Sequence, residues 1–179
     1  MPPSGPDPSP AATGKQPRKP RIVVSDAGPL ISLGRLDLLP LLGALFAEVQ
    51  VPGIVVEECL ARPDKPDAQR IGQALASGLL LRCPAPSMQL PGLQPGESAA
   101  IGRALEIGAA LLMDERAGRA RALALGLEVT GTIGMLVRAR RLGLVGPLTP
   151  LLSALRASGQ RLSEALVRQA LADVGEAPD

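Results

Sequence analysis

The chain has 179 residues, of which 46% are hydrophobic, and a formal net charge of +2. This length predicts one domain, and because the chain holds one Phe and no Trp or Tyr, its core must consist mainly of aliphatic side chains. The absence of His excludes Ser-His-Asp and Cys-His catalysis and His-ligated zinc sites, and the near absence of aromatics leaves phosphate contacts as the basis for any nucleic-acid binding.

The predicted elements begin after a tail. Residues 1–20 are rich in Pro, Ser, Gly and Ala and lack apolar periodicity, so we predict a disordered extension. We then predict a strand at 22–25, helical segments over 29–44 broken by Pro40 and Gly43, a strand at 46–50, and helices at 53–61 and 67–77. Further on we predict a strand at 79–83, a loop at 84–95, helix 97–107, strand 110–113, helix 115–125, strand 127–130, and helices at 132–141, 149–157 and 163–172.

The alternation of apolar runs and helical patterns is typical of a parallel α/β sheet. We expect one domain over residues 21–173, closed by two amphipathic helices, and a disordered tail at 174–179. Cys59 and Cys83 lack the spacing of a zinc site and are expected to be buried free thiols. No stretch has the about 18 apolar residues of a membrane span, so we expect a cytoplasmic protein with no membrane partner.

Acidic side chains stand where predicted strands give way to helices. Asp26 follows the strand at 22–25, Asp114 follows the strand at 110–113, and Glu97 opens the helix before that second strand. Because the carboxyl ends of parallel strands meet at one crevice, we expect these acids to lie close together. Each also has a structural explanation, since Asp26 and Asp114 could be helix N-caps and Glu97 could complement a helix dipole.

A fourth acid is placed near the others by helix geometry. Glu58 follows Val55 by three residues and is expected on the apolar face of its helix, whereas Glu57 points away; a solvated face is the alternative for both. Four inward carboxylates near one edge of a sheet would not be stable without a cation. Oxygen-only ligation favours Mg²⁺ or Mn²⁺ over zinc, so the pattern predicts a divalent metal site.

Five short motifs follow one another along the chain. They are 24–31 (VSDAGPLI), 51–52 (VP) leading to 55–58 (VVEE), 96–101 (GESAAI), 112–116 (LMDER) with 118–119 (GR), and 130–134 (TGTIG). In this order they resemble the PIN-domain ribonucleases, particularly the bacterial VapC-like branch and its uncharacterised relatives. The resemblance covers about residues 22–170, nearly the whole of the expected domain.

The resemblance implies a three-layer α/β/α fold with a central parallel sheet and an acidic pocket for one or two Mg²⁺ or Mn²⁺ ions. By motif position it makes four acids catalytic, namely Asp26, Glu58, Glu97 and Asp114. Asp26, Glu97 and Asp114 are the metal ligands among them. Two accessory positions are Glu115 and Thr132, and two candidates for contacts with the RNA backbone are Arg116 and Arg119.

A metal-dependent endoribonuclease is therefore the expected function, and the toxin of a toxin–antitoxin pair is one role open to it. The expected partners are RNA, an antitoxin protein and a second copy of the chain in a homodimer. The alternative is a catalytically inactive PIN-fold module that acts through dimer or protein-partner contacts. The chain departs from the family pattern at Glu115, where relatives often have Asp, and in its extra helices after residue 132.

Two other α/β functions are disfavoured by the residues. A phosphoacceptor receiver domain carries a Lys on a late strand, and the only lysines here are residues 15, 19 and 65. A dinucleotide site would need a GxGxxG motif directly after a strand, and no predicted strand is followed by one.

Overall fold

Five short apolar strands, which alternate with helices along the chain, form the sheet of this protein. The computed structural model describes residues 21–177. The predicted extension at 1–20 and the last two residues lie outside the described residues. The strands are β1 (Ile22–Ser25), β2 (Glu48–Pro52), β3 (Leu81–Cys83), β4 (Ala110–Leu112) and β5 (Val129–Thr130). All pairings are parallel, in the order β3-β2-β1-β4-β5. The predicted parallel sheet is confirmed.

Helices connect consecutive strands and extend the chain beyond the last one. They are α1 (Ala27–Leu36), α2 (Pro40–Leu45), α3 (Gly53–Leu60), α4 (Pro66–Ala76), α5 (Pro95–Ile107), α6 (Arg116–Ala124), α7 (Thr132–Arg141), α8 (Leu148–Ala157) and α9 (Glu164–Asp173). Together with the sheet they form the predicted three-layer α/β/α fold.

The central strands are buried on both faces, as their unbroken apolar runs predict. Val23 and Val24 of β1 are both fully buried, but they belong to different hydrophobic clusters because successive side chains of a strand point to opposite faces. Val23 packs in the larger cluster with residues of α1, α7 and α8, while Val24 packs against α5. The same division separates Leu111 from Leu112 in β4. Two cores therefore hold the carboxyl ends of β1 and β4 side by side.

Local chemistry moves several predicted boundaries. The helical segment over 29–44 is broken at Asp37, which adopts a left-handed conformation with φ 59°, and Pro40 opens α2. The predicted second break at Gly43 is wrong, because Gly43 lies inside α2. The strand predicted at 79–83 is reduced to three residues, since the chain turns at Gly78 with φ 79° before it can pair with β2.

The C-terminal helices pack onto the domain, and a residue after the boundary expected at 173 contacts it as well. The carboxylate of Glu176 accepts hydrogen bonds from Arg140 Nε at 2.9 Å and from the Leu148 backbone N–H at 2.8 Å. Glu176 thus satisfies a free N–H at the start of α8, and the disordered tail at 174–179 stays a prediction. None of the helices within residues 21–177 is long and apolar enough to cross a membrane.

Candidate functional site

Parallel pairing of β1 with β4 brings two of the predicted acids to one edge of the sheet. The backbone N–H of Asp26 donates to Leu112 O at 2.9 Å, which extends the ladder between the two strands by one bond. Asp114 leaves the sheet two residues after Leu112. At the start of α1, a Cβ atom added to Gly28 would lie 3.6 Å from Asp114 Cβ, so the helix after Asp26 runs directly past Asp114.

Asp26 is the buried acid of this edge, with 7% of its surface exposed. It occupies the N-cap position of α1, but its side chain makes no capping hydrogen bond, so capping does not account for it. Burial raises the pKa of Asp26 from 3.8 to about 7; a hydrogen bond from the Ala27 backbone opposes the shift, and the charges of Glu58, Glu97 and Asp114 add to it. The three other predicted acids thus all act on Asp26.

Asp114 is fixed by the N-terminus of α7. The backbone N–H of Thr132 donates to Asp114 Oδ1 at 2.7 Å, and Thr132 Oγ1 donates to Oδ2 at 2.6 Å. Asp114 therefore binds the first turn of α7, which is distant in the sequence. The structural alternative, in which it would cap the helix that follows it (α6), is wrong. A Cβ atom added to Gly131 would lie 2.8 Å from Asp114 Oδ1, so a larger residue there would displace the carboxylate.

Glu97 lies in the first turn of α5, where it can complement the helix dipole as the structural alternative expected, and it has a capping role there as well. Its Oε2 accepts from the Gln94 backbone N–H at 2.9 Å, and the Gln94 side chain accepts from the Glu97 backbone in return, forming a capping box at the start of α5. The side chain is half-buried. One carboxylate oxygen of Glu97 is left outside this pair and is the one available for a ligand.

Gly96 allows Glu58 and Asp26 to approach each other. A Cβ atom added to this buried glycine would lie 3.0 Å from Glu58 Oε2 and 3.8 Å from Asp26 Oδ1, so both carboxylates flank the same bare stretch of backbone. Any side chain at position 96 would occupy the space between them. The first turn of α5 therefore contributes both Glu97 and the gap beside it.

The expectation that Glu58 faces inward is wrong for the side chain as a whole, which is exposed. Helical spacing correctly turns it toward α5, but it lies at the rim of the crevice and not inside it. Because its carboxylate end rests against Gly96, burial raises the pKa of Glu58, and the charge of Glu97 adds to the shift. Glu57 points away, as predicted, and pairs with Arg82 at 2.9 Å on the surface.

The accessory residues and the two arginines have other contacts. Glu115 is the N-cap of α6 and accepts from the Gly118 backbone N–H at 2.8 Å, so it is turned to its own helix. Arg119 donates to Met113 O at 2.9 Å, and Arg116 is exposed. Thr132 is the only one of these four residues that contacts a predicted acid through a hydrogen bond in the part of the chain described. An RNA contact by either arginine stays a prediction.

Two residues beside the site were missed by the sequence analysis. Gln160, between α8 and α9, points Nε2 at Asp114 Oδ2 at 3.4 Å, and its Oε1 lies 3.0 Å from Ser32 Oγ on α1. A carboxylate only accepts hydrogen bonds, so the amide group must turn its N–H₂ toward Asp114. Ser32 could have been noticed in the sequence as a polar residue between apolar neighbours on the buried α1. No sequence pattern links Gln160 to Asp114, which lies 46 positions away.

The donor set of this edge suits a hard divalent cation. It consists of carboxylate oxygens, and the buried Asp26 carboxylate lies beside three like charges that no cation between residues 21 and 177 offsets. In the described range, however, no three acidic side chains already stand close enough to enclose an ion. Asp26 and Asp114 are held by the sheet and α7, so rotation of Glu58 and Glu97 at the rim would have to complete such a site.

Comparison with protein-family models gives a match over most of the chain. A family model described as a PIN domain matches residues 22–176. A PilT N-terminus domain protein from the hyperthermophilic archaeon Sulfolobus solfataricus P2 is similar in structure at 16% identity and a TM-score of 0.42, over 80% of this chain and 98% of that chain. A comparison with curated proteins finds no match. The family match spans β1 to Glu176 and so includes every acid described above.

Proposed function

Because the chain belongs to the PIN domain family, whose members are generally nucleases, we propose that it is a metal-dependent endoribonuclease that hydrolyses RNA phosphodiester bonds. The observation that carries the proposal is the gathering of charge around Asp26. Its pKa is raised to about 7 by burial and by three further carboxylates, and this arrangement is unfavourable unless a cation binds there.

PIN domains typically use divalent metal ions, and Mg²⁺ or Mn²⁺ fits the oxygen donors present. Asp26, Asp114 and the free oxygen of Glu97 would hold the ion, with Glu58 at the rim. Such an ion would supply water activated near neutral pH and would neutralise charge on the leaving oxygen. Thr132 keeps the Asp114 carboxylate in one orientation through two short hydrogen bonds. The entropy cost of orienting this carboxylate is therefore met by the fold before substrate binds.

RNA is the substrate we propose, and it would be held through its phosphates. The one aromatic side chain, Phe46, is 7% exposed and cannot stack on a base. The toxin role, the antitoxin and the homodimer stay predictions from the sequence resemblance.

The test is cleavage of a labelled single-stranded RNA by the purified chain with Mn²⁺ or Mg²⁺. We expect Asp26→Asn and Asp114→Asn each to reduce the cleavage rate by more than about a hundredfold, since each removes a ligand to the ion. Glu58→Gln and Glu57→Gln form a matched pair on adjacent residues, and only Glu58→Gln should reduce cleavage. Cleavage that needs metal but survives both aspartate substitutions would refute the assignment.

One observation favours the catalytically inactive interaction module as a second candidate. No three acids in residues 21–177 are positioned to enclose an ion, and both Asp114 oxygens already accept hydrogen bonds from Thr132. An inactive module would bind Mn²⁺ weakly or not at all and would leave RNA intact under all metal conditions. The cleavage assay therefore separates the two candidates directly.

A further inference from the structure

A cavity of about 340 Å³ opens beside the acidic edge, between α1, α3, α4 and the turn after α8. It shares one wall with the candidate site, because Glu58 lines both. Its other charged lining residues are Arg35, Arg62, Lys65 and Asp67. Three cations thus line the cavity together with two acids. Because Glu58 lies on α3, this helix separates the cavity from the acidic site.

The charges of this cavity divide into a fixed inner part and a free rim. Arg35 donates to Ser158 O at 3.0 Å and lies 3.9 Å from the half-buried Asp67, so it braces α1 against α4 and the α8–α9 turn. Within residues 21–177, the one ion pair of Lys65 is an exposed contact of 3.9 Å with Asp64. Arg62 has no ion pair among the residues that the structure describes. The rim therefore offers two cations whose hydrogen-bonding capacity is largely unused.

We propose that this cavity binds a backbone phosphate of the RNA strand next to the one cleaved, with Arg62 and Lys65 as its contacts. The inference rests on the proposed nuclease function and places the exit or entry of the strand between α3 and α4. Guanidinium and ammonium groups are the usual partners of phosphate oxygens. Arg119, by contrast, already donates to Met113 O.

Other ligand chemistries fit the cavity less well. Cys59 lines the cavity but is 4% exposed, and burial, together with the charges of Glu58, Asp26 and Asp67, raises the pKa of its thiol to about 12, which disfavours a thiolate that could act as a nucleophile or bind a soft metal. No aromatic side chain lines the cavity to stack on a base. An acidic peptide could meet the same cations, but an RNA strand has a phosphate at every nucleotide and can occupy the acidic site and the cavity together.

The experiment measures affinity for a single-stranded RNA by fluorescence anisotropy without divalent metal, over a series of salt concentrations. For Arg62→Ala we expect about fivefold weaker binding and a salt slope smaller by about 0.7, the share of one phosphate contact. Arg62→Ala/Lys65→Ala should weaken binding about twenty-five-fold and reduce the slope by about 1.4. Arg168→Ala, at an exposed position of α9 outside the cavity, is the matched control and should change neither.

Failure of this inference can be told from failure of the nuclease proposal. If the parent chain binds RNA but does not cleave it with Mn²⁺, the nuclease proposal is refuted. The salt slopes of the variants then still test whether the cavity binds a phosphate. If Arg62→Ala and the double variant bind RNA with the parent's affinity and slope, the cavity is not a phosphate subsite, even in an active nuclease. RNA binding weakened equally by Arg168→Ala would also overturn the inference, since it would show a diffuse charge effect.

Discussion

Replacing Asp26 with Asn should stabilise the metal-free protein, even though it removes a ligand from the proposed site. Asp26 is 7% exposed, and its pKa is raised from 3.8 to about 7. The ionised carboxylate is thus less favourable in the folded than in the unfolded protein. The free energy of unfolding therefore carries its full contribution from this group below pH 3.8 and loses it as pH rises toward about 7, after which the loss levels off.

The size of the effect follows from that shift. At about 1.4 kcal/mol per pH unit, the interval from 3.8 to about 7 corresponds to about 4 kcal/mol in all. The Asn side chain cannot ionise, so it avoids this loss. We expect the difference in unfolding free energy between Asp26→Asn and the parent to grow by about 2–3 kcal/mol between about pH 5 and about pH 8.

Urea denaturation in metal-free buffer at several pH values measures this difference. Asp64→Asn, on an exposed acid with one long ion pair, is the control and should change stability by less than about 0.5 kcal/mol at every pH. Added Mn²⁺ should stabilise the parent by about 2.7 kcal/mol at a hundred times its Kd, and the variant by much less. A difference between variant and parent that stays constant from pH 5 to pH 8 would refute the reasoning.

Three further substitutions separate structural from catalytic roles. Thr132→Val removes the 2.6 Å bond to Asp114 and should slow RNA cleavage about tenfold in kinetic assays; an unchanged rate would show that Asp114 needs no such support. Glu97→Gln can keep the capping box, so the thermal midpoint should hold while cleavage falls by more than about tenfold; equal loss of both would make Glu97 purely structural. Glu115→Ala should lower unfolding free energy by about 1 kcal/mol in urea titrations, with cleavage kept within about twofold; a large loss of activity would contradict its capping role.

The sheet and the positions of its central acids could be predicted because they depend on local pattern. Val23 and Val24 form an apolar run typical of a strand buried on both faces, and Asp26, two residues after Val24, had to stand at its carboxyl end. The same reasoning applies to Leu111, Leu112 and Asp114. In a parallel sheet these ends lie at one edge whatever the strand order, and the pairing of β1 with β4 brings the two acids close together.

Burial depth and distant contacts could not be predicted, for different physical reasons. The spacing of Glu58 from Val55 gives its direction around α3 but not its height above the core, so the pattern could not predict that its side chain is exposed. The pairing of Asp114 with Thr132 and Gln160 depends on how α7 and the α8–α9 turn pack onto the sheet. From the sequence, Asp114 could therefore be a cap for α6, the next helix in the chain. In the folded protein its carboxylate accepts hydrogen bonds at the start of α7 instead.

Binding of a divalent ion at the acidic edge is the claim on which the functional account depends, and titration calorimetry with Mn²⁺ tests it most directly. The parent chain should bind Mn²⁺ with measurable heat near pH 7.5, and Asp26→Asn and Asp114→Asn should each abolish or greatly weaken this binding while the fold is kept. Glu57→Gln should leave it unchanged. A parent chain with no measurable affinity for Mn²⁺ or Mg²⁺, or with an affinity that both aspartate substitutions leave intact, would contradict the account.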